Sequence, residues 1–333
     1  MRRREFIANL FASALAASPL AAGAQAQQIP TIGFLHSGSP SPFEAHVAAF
    51  REGLREAGYV EGRNVAIEYC WAGGVEHRLP TLAAGLVRQA VAVITAVGGS
   101  ISVHAATSAT ATIPVLFITG TDPRFDGLVD SLNRPGRNAT GVYLYTNIVI
   151  EKCIEQLRDL VPQAATIAVL RRTLGPSSSI AERTEREESD HKLVTRADIQ
   201  VVIVSANGEG EFESAFASAA RLGAGALIVD NEALFNNRRA ELVALAASHH
   251  LPTAYMGREY VEAGGLMSYA QVIPEAYRQI GKYAGQILKG ANPAELPVYQ
   301  PSKFELVINR RAAETLGLAV PPSLLSIADQ VIE

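Results

Sequence analysis

The side chains that could take part in chemistry do not form a recognisable catalytic motif. The sequence contains no Gly-x-Ser-x-Gly elbow, no phosphate-binding loop ending in Gly-Lys-Ser/Thr, no Cys-x-x-Cys pair and no His-Glu-x-x-His helix. The adjacent His249 and His250 would point about 100° apart on a helix, so they are unsuited to clamp one metal ion. The sequence therefore predicts no catalytic residue, no metal site and no cofactor.

Hydroxyl, glycine and acidic residues instead follow apolar runs that are typical of β-strands. Ligands of open parallel sheets bind beyond the carboxyl ends of the strands, so residues at these positions are candidates for a binding site. The candidates at strand ends are Ser37, Thr95, Gly98, Thr121, Asp122, Asp230, Asn231 and Tyr255. Tyr143, Thr146 and Tyr269 join them from stretches where the chain is expected to cross between two lobes.

These residue types favour a small amino-acid-like or carboxylate solute. Hydroxyls and backbone amides at helix N-termini suit a carboxylate. An acid such as Asp122 or Asp230 suits an ammonium group, and tyrosines suit an apolar or aromatic body. Each residue also has an ordinary structural alternative. Ser and Thr after strands are common helix caps, and Tyr143 could equally be a core or surface residue of a strand.

Alternating apolar strands and amphipathic helices must position these residues. The strand predicted over residues 31–35 is almost continuously apolar, as expected when both faces are covered. Apolar residues at helical spacing predict a helix over residues 43–57. The alternation runs to residue 144 and begins again near residue 148. We therefore predict an α/β fold of two Rossmann-like lobes with parallel sheets.

The length of 333 residues also favours two domains. We expect lobe 1 to comprise residues 30–141 plus about 268–292, and lobe 2 to comprise residues 142–267 plus about 300–333. This division makes the chain cross between the lobes more than once. Several crossings form a hinge, and a hinge between two α/β lobes forms a closable cleft.

The N-terminus has the features of an export signal. Arg2, Arg3 and Arg4 precede an apolar stretch over residues 11–22, and small residues at Ala24-Gln25-Ala26 form a cleavage site. We predict a signal peptide over residues 1–26, of the twin-arginine type, and a periplasmic location. The alternative is an uncleaved amphipathic N-terminus. No cysteine lies near the cleavage site, so a lipid anchor is not expected.

Charge and cysteine content narrow the choice of partners. A net charge of −4 argues against nucleic acid as a partner, because nucleic acid selects basic surfaces. Cys70 and Cys153 are expected in different lobes and therefore unpaired, although an exported protein could form a disulfide.

Residues 182–192 contain no apolar side chain. We predict a solvated surface helix there, with a partner-binding role as the alternative.

Several ordered stretches of the chain resemble one protein family. They are residues 53–62 (GLREAGYVEG), 64–69 (NVAIEY), 119–123 (TGTDP), 131–136 (SLNRPG), 140–142 (TGV), 262–269 (EAGGLMSY) and 303–309 (KFELVIN). In these stretches the chain resembles the ABC transporter substrate-binding proteins that include the tryptophan-binding type. The resemblance covers nearly the whole chain after residue 26.

The resemblance implies a type I periplasmic-binding fold whose lobes close on an aromatic or related amino acid. It places pocket elements at Ser37, Thr95, Thr121-Asp122, residues 140–142 and Ser268-Tyr269. Two departures leave the identity of the solute open. One is the charged stretch over residues 182–192, and the other is Arg171-Arg172-Thr173, where relatives have an Asn/Pro-rich loop. An Arg171 or Arg172 side chain in the cleft would favour an anionic solute.

The resemblance further implies that the protein delivers a small-molecule solute to an ABC transporter permease in the inner membrane, and we expect a monomer. One alternative function is a periplasmic sensor that presents the solute to a membrane receptor. Another is an enzyme or a relative of the effector domains of transcription regulators. The export signal and the lack of DNA-binding helices argue against a regulator.

Overall fold

The computed structural model describes residues 29–174, 180–196 and 198–333. The predicted signal peptide over residues 1–26 lies outside the described residues. Within them the chain forms two sheets, which confirms the predicted α/β fold. The first sheet has the strand order β2-β1-β3-β4-β5, and the second has the order β12-β11-β10-β9-β8-β6-β7.

The first sheet and its helices are built from the N-terminal part of the chain. Its strands are β1 Thr31–His36, β2 Ala66–Trp71, β3 Val93–Val97, β4 Val115–Thr119 and β5 Ala139–Tyr143. Its helices are α1 Glu44–Glu56, α2 Leu79–Arg88 and α3 Ser100–Ala109. All of these strands pair in parallel. Strands β3 and β4 are buried along their whole length, because helices cover both faces of the sheet.

The second sheet takes most of the remaining chain. Its strands are β6 Thr166–Arg171, β7 Gln200–Ser205, β8 Ala226–Val229, β9 Thr253–Tyr255, β10 Met267–Gln271, β11 Phe304–Asn309 and β12 Gln330–Ile332. The helices of this part are α4 Thr146–Leu160, α5 Ile180–Val194, α6 Phe212–Arg221, α7 Ala233–Asn237, α8 Arg239–Ser248, α9 Arg258–Glu262, α10 Ile273–Leu288, α11 Arg310–Thr315 and α12 Pro322–Ile327. Only β10 and β11 pair antiparallel among the strands described.

Over the described residues, the chain passes between the two sheets three times. It leaves the first sheet between β5 and α4 and returns between β10 and α10, because α10 packs on α1 of the first lobe. Tyr299 still forms a bridge with Val142 on β5, so the third passage lies between Tyr299 and β11. Residues 268–271, which the sequence-based division gave to lobe 1, pair as β10 in the second sheet.

Two glycines let α10 lie directly on α1. A Cβ on Gly281 of α10 would lie 2.1 Å from the carbonyl oxygen of Phe50, and a Cβ on Gly53 of α1 would lie 1.9 Å from that of Arg278. Around this contact Phe50, Leu54 and Ile280 are fully or almost fully buried. The close approach fixes the returning segment to the first lobe. Within the described residues, no helix combines the length and the apolarity needed to span a bilayer.

We predict that Gly281→Ala destabilises the protein by roughly 1–3 kcal/mol, because its new Cβ would push α10 away from α1. The matched control is Gly208→Ala, where nothing lies within 4 Å of an added Cβ and the φ angle of −154° suits any residue. Urea unfolding followed by circular dichroism measures both changes. Equal stabilities of the two variants would contradict the proposed glycine contact.

Candidate functional site

A polar cavity of about 310 Å³ lies between the two lobes, at the carboxyl ends of strands from both sheets. The first lobe contributes the segments that follow β1, β3 and β4. The second contributes those that follow β6, β7 and β8. Both sets face one cavity, so the cavity belongs to neither lobe alone. This is the position that the doubly wound topology favours for a ligand.

Six of the predicted site residues line this cavity. They are Ser37, Gly98, Thr121, Thr146, Asp230 and Asn231. The Ser37 hydroxyl donates a hydrogen bond to the carbonyl of Gly98, so the ends of β1 and β3 are held together. Gly98 and Gly99 have φ angles of 83° and 110°, which are left-handed conformations that favour glycine. They turn the chain from β3 into α3 beside the cavity.

Three predicted residues near these strand ends do not line the cavity. Thr95 lies inside β3 with no exposed surface, because both faces of this strand are covered and the residue lies two positions before the strand ends. Asp122 forms hydrogen bonds with the guanidinium of Arg124, which holds the pKa of the carboxyl low despite its burial. Tyr143 packs on Tyr145 with ring centroids 4.4 Å apart.

The other two predicted tyrosines are parts of the second lobe's packing. Tyr255 is 1% exposed and stacks on Tyr260 with ring centroids 4.7 Å apart. Tyr269 is half-buried and stacks on Phe304 of the neighbouring strand at 5.5 Å. Neither residue lines the cavity. Both follow or occupy strands, but their rings point to the sheet faces rather than past the strand ends.

Helix α5 forms one wall of the cavity. A helix covers residues 182–192 as predicted, and its described side chains over residues 183–192 are partly or fully exposed, but one of its faces is turned to the cavity. Glu185 and Arg186 line the cavity. The Arg186 guanidinium lies 3.5 Å from Asp230 and 3.4 Å from Glu232. These acids follow β8, so charge pairs replace the apolar stripe that normally holds a helix to a sheet. The run of polar residues gave no sequence signal for this burial.

A second buried ion pair supports the same wall from behind. Arg171, at the end of β6, is 1% exposed, and its Nε lies 3.1 Å from Asp230 Oδ2. Its guanidinium also pairs with Asp190 of α5. Arg171 therefore holds α5 to the sheet instead of facing the cavity. Arg172 does line the cavity, where it pairs with Glu76 of the first lobe.

Glu185 stands apart from these pairs. Its carboxylate accepts a hydrogen bond from the backbone N–H of Asp122 at 3.3 Å and lies 3.5 Å from Asn147 Nδ2. Burial raises the pKa of Glu185 to about 7, and repulsion from Asp126 and Asp122 acts in the same direction. The sequence analysis did not name Glu185, Arg186, Glu232, Asn147 or Glu76 as site residues. None of them directly follows an apolar run, and only the fold brings them to the cavity.

The two lobes touch around the cavity. Besides the pair between Glu76 and Arg172, His46 of α1 lies 3.3 Å from Glu259 of α9. Within the first lobe, the His46 ring stacks on Tyr277 of α10 with centroids 4.9 Å apart. These contacts border a smaller chamber of about 100 Å³, which shares residues such as Gly98 with the main cavity. Among the described residues, no cluster of three or more His, Cys, Asp or Glu could hold a metal ion.

These features define a class of protein. Two mostly parallel α/β sheets joined by several crossings, with a cavity between their carboxyl edges, form the type I periplasmic-binding fold. Within that class, the chain belongs to the ABC transporter substrate binding protein family, whose model matches residues 39–332. The family is one of solute-binding proteins rather than enzymes.

Known relatives share the sequence and the fold over most of their length. The tyrosine-binding protein of Clostridioides difficile strain R20291 is 25% identical over 269 residues, which are 81% of this chain and 75% of the relative. The ABC domain from Streptococcus pneumonia in complex with L-Trp is 27% identical, with a TM-score of 0.79 over 91% of this chain and 99% of that one. A conserved domain protein from Vibrio cholerae, 24% identical, shares the fold with a TM-score of 0.81 over 91% and 100% of the two chains.

We predict that Arg171→Met destabilises the protein by about 3–5 kcal/mol, because it removes a cation from buried Asp230. Arg172→Met is the matched control. The pair of Arg172 and Glu76 is partly exposed, so its loss should cost at most about 1 kcal/mol. Urea unfolding at pH 7 measures both. The double change Arg171→Met with Asp230→Asn should recover part of the loss, and equal effects of the two single changes would disprove the role of Arg171.

Proposed function

We propose that this protein is the exported solute-binding component of an ABC importer. It binds a small amino-acid-like or carboxylate solute between its lobes and delivers that solute to a permease in the inner membrane. The observation that carries the proposal is the polar cavity whose walls come from both lobes. A solute there contacts both walls at once, so it stabilises the closed form in proportion to its preference for that form.

The chemistry of the two walls supports an amino-acid-like solute. The first lobe offers the Ser37 and Thr121 side chains and the backbone turn at Gly98 and Gly99 before α3. Hydroxyls and backbone amides near a helix N-terminus suit a carboxylate. The second lobe offers Asp230, which suits an ammonium group. The names of two relatives, a tyrosine-binding protein and a domain in complex with L-Trp, agree with this class of solute.

The predicted signal peptide supports export, and the passages between the lobes support delivery of the solute. The predicted signal peptide over residues 1–26 would bring the protein to the periplasm, where a permease of the inner membrane is accessible. Three passages between the lobes allow hinge closure while each lobe keeps its own core. The closed shape is then the form that a permease can distinguish from the empty one. The protein acts as a monomer in this proposal.

We predict that a solute from a panel of amino acids and small carboxylates raises the melting temperature. The free energy of binding adds to that of folding, so a solute present at 100 times its Kd adds about 2.7 kcal/mol. Differential scanning fluorimetry measures the shift. The absence of any shift across the panel would count against a solute-binding function.

The same solute should change the fluorescence of Trp71, the only tryptophan in the sequence. The Trp71 ring packs on His36 with centroids 4.7 Å apart, and His36 Nδ1 accepts the backbone N–H of Gly38, next to cavity residue Ser37. Contact of solute with this loop therefore alters the surroundings of the indole. A titration should give the same Kd as calorimetry, and a constant emission would show that the loop stays unchanged on binding.

Uptake of the labelled solute by cells tests the delivery step. Cells that lack the protein should lose high-affinity uptake, and the intact protein supplied again should restore it. Normal uptake in such cells, together with loss of a response to the solute, would instead favour the sensor function.

A further inference from the structure

The main cavity contains more acidic than basic side chains. The acids that line it are Glu76, Glu185, Asp230 and Glu232, and the bases are Arg172 and Arg186. Arg171 and Asp190 behind the wall add one charge of each sign and leave the balance unchanged. A surplus of carboxylate in a partly enclosed space is unfavourable, because burial weakens hydration more than neighbouring dipoles replace it.

The arginines of the cavity are already matched by acids of the protein. Arg172 pairs with Glu76 across the cleft, and Arg186 lies between Asp230 and Glu232. An anionic solute would have to compete with these carboxylates for each guanidinium. Such competition costs most where the displaced acid is buried, as Asp230 is with 1% exposure.

Glu185 is the acid that lacks a matching cation. Its carboxylate meets the N–H groups of Asp122 and Asn147, and among the described side chains no Lys, Arg or His forms an ion pair with it. The neighbouring acids are occupied, since Asp122 pairs with Arg124 and Asp126 lies 3.8 Å from His104. A half-buried carboxylate in a binding cavity without a cation is a position for a cation from the solute.

Asp230 adds little uncompensated charge to this wall. It is almost completely buried, and Arg171 Nε and Arg186 Nη1 lie 3.1 and 3.5 Å from its Oδ2 atom. Two cations of the protein therefore compensate this acid, whereas no such ion pair is formed by Glu185 among the described side chains.

We infer that the solute carries a surplus ammonium or guanidinium group, and that Glu185 on α5 binds this group. The inference rests on the proposed function, and it narrows the solute from amino-acid-like compounds in general to cationic ones. The charged helix α5 is then the element that sets the selectivity.

Two classes of solute carry a surplus cationic group, namely basic amino acids and diamines. The first-lobe wall of the cavity distinguishes them. A basic amino acid has a carboxylate for the backbone turn at Gly98 and Gly99, whereas a diamine has none. The probes are therefore L-lysine, L-ornithine and L-arginine on one side and putrescine on the other. L-tryptophan, L-tyrosine, L-leucine and L-glutamate serve as comparison solutes, because none of them carries a second cationic group.

Calorimetry on the full-length mature protein tests the inference. We expect the cationic solutes to bind at least about tenfold more tightly than the comparison solutes. The variant Glu185→Gln should weaken binding of the cationic solute by at least about tenfold. The matched control is Glu188→Gln, one turn further along α5 on its exposed side, and it should leave the Kd unchanged.

The pH dependence separates a bound cation from a structural role of Glu185. Burial raises the pKa of Glu185 to about 7, so the carboxylate form that binds a cation is lost as the pH falls below 7. The Kd for the cationic solute should therefore rise by about tenfold per pH unit below 6.5, and this dependence should disappear in Glu185→Gln.

Other charged and titratable groups face Glu185 or the same cavity. They are Asp122 and Asp126 in the loop after β4, Tyr143 on β5, Arg186 on α5 and Glu232 after β8, whose pKa is raised by burial. The pKa of Asp122 is lowered by Arg124, and burial raises that of Tyr143, so both keep one protonation state across the range. Loss of the pH dependence in Glu185→Gln, but not in Glu188→Gln, assigns it to Glu185.

Stability gives a further readout. A carboxyl whose pKa is raised by folding stabilises the protein when it is protonated, and this contribution is lost as the pH rises through about 7. At pH 8 without solute, Glu185→Gln should therefore melt about 1–2 °C higher than the parent. A variant that is more stable yet binds more weakly shows that the charge serves binding and that the loss of affinity is not misfolding.

The outcomes are distinct for the two proposals. Tight binding of an aromatic amino acid that Glu185→Gln leaves unchanged would overturn the cationic solute while the solute-binding function stands. Failure of every solute in both groups to bind would count against both. Binding of L-lysine and putrescine alike supports the cation site and shows that the carboxylate of the solute adds little.

Discussion

The buried guanidinium of Arg171 is the interaction on which the second wall of the cleft depends. It joins three elements, because it ends β6, pairs with Asp190 of α5 and lies 3.1 Å from Asp230 after β8. Buried charges are costly to desolvate, so such a group persists only when its partners stay in place. Leu193 is the buried apolar residue in the described part of α5, so charge, more than apolar packing, holds this helix to the sheet.

This constraint makes the two walls of the cavity chemically different. The first lobe offers mostly neutral groups, such as the Ser37 hydroxyl and the glycine turn before α3, and its lining acid Glu76 pairs with Arg172. The second offers charged groups whose cations are largely used within the protein, which leaves Glu185 directed to the cavity. A solute that bridges the lobes therefore meets hydrogen-bonding groups on one side and net negative charge on the other.

Closure of such a cleft requires stiff lobes and flexible passages between them. The glycine contact between α1 and α10 fixes the returning segment to the first lobe, because no side chain separates the two backbones there. In the proposed closure, flexing is confined to the short stretches between β5 and α4, between β10 and α10, and between Tyr299 and β11. The contacts of His46 with Glu259 and of Glu76 with Arg172 form only when the lobes come together.

The sequence by itself determined the alternation of strands and helices, because continuous apolar runs and helical spacing are local properties. This alternation was enough to predict two lobes and the strand-end residues Ser37, Gly98 and Asp230. It missed short elements such as β12, which has too few residues to show a period. It also placed Thr95 and Tyr255 at the cleft, although both lie in strands that are buried at every residue. Only the tertiary structure decided the role of α5. A run of charged residues has the same pattern whether water or buried counter-charges surround it, and the partners of Arg171 and Arg186 are distant in sequence.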